Sequence, residues 1–107
     1  MKIQELQAAS DKQLEKFKEA YGLDGRELAL AINTKLGEEF GELSDQLLGF
    51  YKLQRHDKLD QYSTEELEKE LFDTLFTVFG VASATGLDLT EICKKRSKFI
   101  LERKLRE

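Results

Sequence analysis

The sequence has no proline, a single cysteine, a single histidine and no apolar run of 18 residues. Each absence closes off a class of explanation. Without proline no ring interrupts a helix, and long stretches carry helical periodicity. Cys93 alone can form neither an internal disulfide nor a cysteine zinc cage. His56 alone cannot supply the Glu-x-x-His pairs of a di-iron bundle, and as a loop residue it reads as surface. The lack of a long apolar run predicts no membrane span. Met1-Lys2-Ile3-Gln4-Glu5 has no apolar signal-peptide core, so a cytoplasmic protein is expected.

What is present points to helices. Charged residues make up 36 % and apolar ones 40 % of 107 residues, which suits a soluble helical bundle rather than a disordered chain. The length predicts one domain over 1–107 whose core is small enough that a second copy would help it. The net charge of −4 is uneven: residues 94–107 hold seven Lys or Arg against two Glu, a balance of +5 that leaves −9 on residues 1–93. An acidic body is a poor nucleic-acid surface, so no nucleic-acid partner is expected. The basic end either holds phosphates or complements a helix dipole.

Asp24-Gly25-Arg26-Glu27, Ser63-Thr64-Glu65-Glu66 and Asp88-Leu89-Thr90-Glu91 each place a capping oxygen three residues before a Glu, the pattern of a helix N-terminus. Gly22 and Gly86 stand where left-handed C-caps would end the preceding helices. The spacing predicts helices over about 3–21, 26–53, 64–85 and 89–105, with a polar loop at 54–62. An all-α, four-helix, up-and-down bundle follows.

On helix 2, Ala29, Leu36, Phe40, Leu43 and Leu47 form one apolar stripe. Glu38, Glu42 and Asp45 lie opposite it, and Glu39 sits toward its edge. Like charges four apart, such as Glu38 and Glu42, repel unless a cation lies between them. Gly37, Gly41 and Gly49 each cost the helix about 1 kcal/mol relative to Ala, which suggests that a backbone or ligand comes close. Helix 3 is apolar around most of its circumference from Leu71 to Ala82, with Asp73 as the one charge in that run and Glu70 a turn before it. This predicts a buried helix in which Asp73 needs a cation, a donor network or a raised pKa. Glu39 with Glu42, and Glu70 with Asp73, are pairs three residues apart that project from one side of each helix. Four carboxylates without sulfur or imidazole favour Mg²⁺, with Mn²⁺ as substitute. Phe72, Phe76 and Phe79 read as core or subunit interface, with base stacking as the lesser alternative, and Tyr21 and Tyr51 fit the flank of a base and an interface equally well.

Glu38-Glu39-Phe40-Gly41-Glu42, followed after 27 residues by Glu70-Leu71-Phe72-Asp73, resembles the EExxE…ExxD signature of the MazG-like all-α nucleotide pyrophosphohydrolases. The similarity runs from helix 2 to the start of helix 4 and includes Gly-Glu-Leu at 41–43 and Gly-Leu-Asp-Leu at 86–89. The resemblance implies a MazG-like bundle completed by oligomerisation, as a homodimer or homotetramer whose helices from two chains enclose the site. It implies that Glu39, Glu42, Glu70 and Asp73 bind Mg²⁺, and that Glu38 at the inner edge holds a second metal or orients water. Lys35 would meet phosphate one turn before the acidic motif. Lys94 matches a further family lysine, whereas Lys98 stands where many members carry Asn.

The activity so implied is Mg²⁺-dependent attack of water at the α-phosphorus of a nucleoside triphosphate, a dNTP or modified NTP. The products are the monophosphate and pyrophosphate, and the biological role is house-cleaning or control of nucleotide pools. Two other readings stand beside it. One is hydrolysis of phosphoribosyl-ATP by the related enzymes that share the fold. The other is a non-catalytic helical oligomerisation module, in which Asp73→Asn would be neutral or stabilising and Mg²⁺ would not alter melting.

Overall fold

The computed structural model describes residues 1–103 and contains four α-helices: α1 (Ile3–Tyr21), α2 (Gly25–Phe50), α3 (Thr64–Thr85) and α4 (Leu89–Glu102). The expected ends hold at α1 and α3. Helix α2 stops at Phe50 rather than 53, and the loop beyond it contains a 3₁₀ turn, His56–Gln61. For the last helix, the expected end near 105 lies outside the described residues. Among the described residues there is no strand, and no single helix is long and apolar enough to cross a membrane.

The caps explain the boundaries. Ser63 Oγ accepts from the Glu66 amide at 3.1 Å, and Asp88 and Asp24 accept from Thr90 and Gly25 amides at 2.9 and 2.8 Å. Gly22 and Gly86 close α1 and α3 at φ +64° and +73°, a left-handed geometry that a Cβ disfavours.

Helices α2 and α3 form an antiparallel pair, with Ile32 against Gly80, Glu39 level with Thr74, and Gly49 against Tyr62. The ring of Tyr62 lies directly on the Gly49 backbone, while its hydroxyl donates to Asp45 at 2.8 Å. Gln54 Nε2 donates to the same Asp45 oxygen at 2.7 Å. Asp45 therefore anchors the connecting loop. Gly37 and Gly41, by contrast, have open space where a Cβ would point, so of the three glycines Gly49 is the one that the described chain itself approaches closely.

Helix α1 crosses the far end of α3. Gln7 Nε2 donates to Ser83 Oγ at 2.7 Å, Ser83 Oγ donates to buried Ser10 at 3.0 Å, and Gln7 Oε1 accepts from the Leu89 amide at 3.2 Å. One glutamine thus ties α1 to the end of α3 and the start of α4. The last helix turns away from α3 at a 112° bend and packs chiefly on α1.

The chain remains open. Its radius of gyration is 16.8 Å, against about 13 Å for a compact domain of this length. Among the described residues, only Leu28, Ile32, Phe79 and Ala82 form a buried apolar core. The expectation of a fully buried helix 3 is corrected: Leu71, Phe72, Leu75 and Val78 line a face of α3 that neither α1 nor α2 covers. The stripe assigned to helix 2 is corrected likewise. Leu28 is buried, Ile32 and half-buried Glu39 turn toward α3, and Phe40 and Leu47 are exposed, Phe40 at 62 %. Helix 2 carries apolar residues on two sides, and periodicity alone does not tell which side its own chain covers.

Candidate metal and substrate site

Three of the four carboxylates expected from the sequence, Glu39, Glu70 and Asp73, come together where α2 and α3 lie side by side. Thr74 Oγ1 donates to the Glu70 carbonyl at 2.7 Å and reaches the Glu39 carbonyl of the facing helix at 3.4 Å. It fixes the two helices at the level of the cluster. One carboxylate oxygen from each of Glu39, Glu70 and Asp73 lies within 4.8 Å of the others. Glu42, more exposed, stands close enough to act on Glu70.

The buried carboxylate is Glu70, 5 % exposed, while Asp73 is half-buried. This corrects the expectation that Asp73 is the charge sunk in the core. Glu70 points at the α2 contact, whereas Asp73 lies at its margin. Burial raises the Glu70 carboxyl from 4.5 to about 7, and the facing carboxylates of Glu39 and Glu42 push it the same way. Two ionised carboxylates cannot hydrogen-bond to each other, so only a proton on Glu70 lets it donate to Glu39 or Glu42. Lys69 Nζ comes within 3.7 Å of Glu70, but from solvent, where screening weakens its pull. Glu39 Oε2 and Glu70 Oε2 are buried with no hydrogen-bond partner among the described residues.

Two orphaned, buried carboxylate oxygens beside a third acid match what a hard divalent cation requires. The donors are oxygen alone, which selects Mg²⁺ or Mn²⁺ over zinc or copper. The residues present therefore fit a metal ion.

The remaining candidates fall elsewhere. Glu38 and Lys35 form a surface pair at 3.5 Å on α2, beside the cluster rather than in it. Lys94 pairs with Glu91 at 3.4 Å on α4, and Lys98 is exposed on the same helix. Because α4 lies on α1, one chain does not gather these two lysines around the carboxylates. Sequence reasoning gave α1 no part in the site. In the structure Ser10, Gln13 and Phe17 of α1 share a cavity with Lys35, one turn from Glu39. No motif on α1 signals this; only the crossing of α1 over α3 brings it there.

The chain is all-α with carboxylates gathered on an antiparallel helix pair, and its class, the MazG-like superfamily of nucleotide pyrophosphohydrolases, follows from the family whose model it matches. Within it, the family model of phosphoribosyl-ATP pyrophosphohydrolase matches residues 3–98, and the chain belongs to that family. Comparison with curated proteins and with solved structures gives no match. The family implies a pyrophosphohydrolase, and its name fits phosphoribosyl-ATP better than the dNTP favoured by the motif resemblance.

Proposed function

We propose that the protein hydrolyses phosphoribosyl-ATP to phosphoribosyl-AMP and pyrophosphate. The match of that family's model over residues 3–98, around the Glu39–Glu70–Asp73 cluster, carries this reading. Glu39, Glu70 and Asp73, with Glu42 beside them, would hold Mg²⁺. Once bound, the ion supplies charge neutralisation of the phosphate oxygens and a lowered pKa for bound water. Glu38 lies one residue outside this set and accepts the proton of the attacking water. The water oxygen bonds to the α-phosphorus, the bond to the bridging oxygen breaks, and pyrophosphate departs with that oxygen. Lys35, released from its pair with Glu38, offsets charge on the leaving group. Lys94 and Lys98 serve as phosphate ligands in this scheme only if supplied across a subunit boundary.

The working unit in this proposal is a homo-oligomer. Leu71, Phe72, Leu75 and Val78 on α3, with Phe40 and Leu47 on α2, form an uncovered apolar surface flanking the carboxylates. A second copy covering it would supply the core that one chain lacks.

The test is pyrophosphate release from phosphoribosyl-ATP and from a panel of NTPs and dNTPs, with Mg²⁺ or with EDTA, for wild type and Asp73→Asn. Metal-dependent release from phosphoribosyl-ATP that disappears in the variant is expected. Release from a dNTP and not from phosphoribosyl-ATP would return the reading to a general triphosphate hydrolase. Turnover in excess EDTA would sink the metal assignment.

A further inference from the structure

Where α1 crosses α2 and α3, two adjoining cavities remain. The inner one, of about 210 Å³, is walled by Leu14 and Phe17 of α1, Ile32 of α2 and Phe76 of α3. The outer one, of about 630 Å³, opens beside Lys16 and Tyr21. Gln13, Phe17 and Lys35 line both and mark the neck between them. None of Glu39, Glu42, Glu70 and Asp73 lines either cavity, so this place lies apart from the metal site. The two hydroxyls of the inner cavity are engaged: Ser10 Oγ accepts from Ser83 Oγ at 3.0 Å, and Thr77 Oγ1 donates to the Asp73 carbonyl at 2.7 Å. What the inner cavity offers a ligand is therefore aliphatic and aromatic surface. An apolar cavity of about 150 Å³ takes up benzene, so this one has room for a single ring.

The charge of the lining runs against that of the chain. Residues 1–93 carry −9, yet among the described residues that line the two cavities there is no Asp or Glu. There are two lysines, Lys16 and Lys35, and both line the outer cavity. Lys35 pairs with Glu38 at 3.5 Å, but both side chains are more than half exposed, and such a pair holds its cation weakly. Gln13 adds an amide donor at the neck. Apolar walls inside, an amide at the neck and two ammonium groups outside complement one kind of ligand, a small amphiphile with a ring at one end and an anion at the other. The ring leaves water for the inner cavity, while the charge stays at the wet, cationic mouth, where its desolvation is small.

We propose that the crossing of α1, α2 and α3 is a binding site for a small aromatic monocarboxylate. Its ring lies against Phe17 and Phe76 in the inner cavity, and its carboxylate meets Gln13, Lys35 and Lys16 at the outer one. The site is separate from the carboxylate cluster and independent of which phosphorylated substrate the protein hydrolyses. Its occupant touches all three helices, so it stabilises the docking of α1 on the α2–α3 pair.

The experiment is titration of the full chain in EDTA with benzoate and with benzyl alcohol, followed by backbone amide NMR shifts, for wild type, Lys16→Met and Leu14→Phe. Wild type is expected to show saturable shifts over residues 10–17, 31–35 and 76–80. It should bind benzoate about tenfold more tightly than benzyl alcohol, the gain of a charged acceptor over a neutral hydroxyl. Lys16→Met weakens benzoate by about threefold, the worth of an exposed ion pair, and leaves benzyl alcohol unchanged. Leu14→Phe fills the inner cavity and removes the shifts from both ligands. Equal affinity of wild type for the two ligands overturns the inference, as does a Lys16→Met protein with undiminished benzoate affinity. Shifts confined to the uncovered face of α3, or none at the cavity residues because a second copy fills the space, overturn it too. Lys16 is exposed, so its replacement leaves the fold intact even where Leu14→Phe does not.

Discussion

Replacing Glu70 by Gln is expected to stabilise the metal-free protein above neutral pH while abolishing its response to Mg²⁺. The side chain is almost wholly buried against Glu39 and Glu42, and its carboxyl is raised from 4.5 to about 7. A carboxyl raised in the folded state contributes stability that is fully present below pH 4.5 and is lost as pH rises through 7. The difference of about 2.5 pKa units corresponds to about 3 kcal/mol lost by pH 8. The neutral amide escapes this loss. Urea titration in EDTA at fixed protein concentration measures it. With a slope of roughly 1–3 kcal/mol/M, the midpoint of Glu70→Gln should exceed that of wild type by about 1–3 M at pH 8. At pH 4.5 the two should converge. Adding Mg²⁺ at a hundredfold excess over its dissociation constant should recover about 2.7 kcal/mol for wild type and nothing for the variant. A variant no more stable than wild type at pH 8 in EDTA would refute the account of Glu70 as a buried, repelled charge. An equal Mg²⁺ response in both proteins would remove Glu70 from the metal site.

Gly49→Ala places a methyl group against the Tyr62 ring and should cost about 1–3 kcal/mol, read as a lower urea midpoint. Gly41→Ala, in open space on the same helix, should be neutral or slightly stabilising in a single chain, so the pair of variants isolates the Tyr62 contact. Leu75→Glu, on the uncovered face of α3, should shift sedimentation toward a single chain and lower the melting temperature; an unchanged assembly would show that this face is not the subunit contact. Tyr62→Phe removes one hydrogen bond to Asp45 and should cost about 1 kcal/mol, with faster amide exchange over residues 54–62.

The local features were legible because they are written in neighbouring residues. Ser63 and Glu66 mark the start of α3, and Gly22 and Gly86 mark the ends of α1 and α3, through hydrogen bonds and a dihedral that involve no distant partner. The acidic pairs were legible too, since residues three apart share one side of a helix whatever surrounds it. Which side faces inward was not legible on α2, because apolar residues occupy two of its sides and only the docking of α3 distinguishes them.

By itself, the sequence determined that the chain is helical, where its helices begin, and that acidic residues three apart share one side of α2 and one side of α3. Tertiary packing alone decided that Glu70 rather than Asp73 is the buried acid, that Phe40 and Phe72 stay uncovered, and that α1 brings Phe17 beside Lys35. The physical reason is range. Caps and helical spacing act over one turn of chain, whereas burial is set by which elements cross, and Gln7, Ser10 and Ser83 fix that crossing between residues more than seventy positions apart.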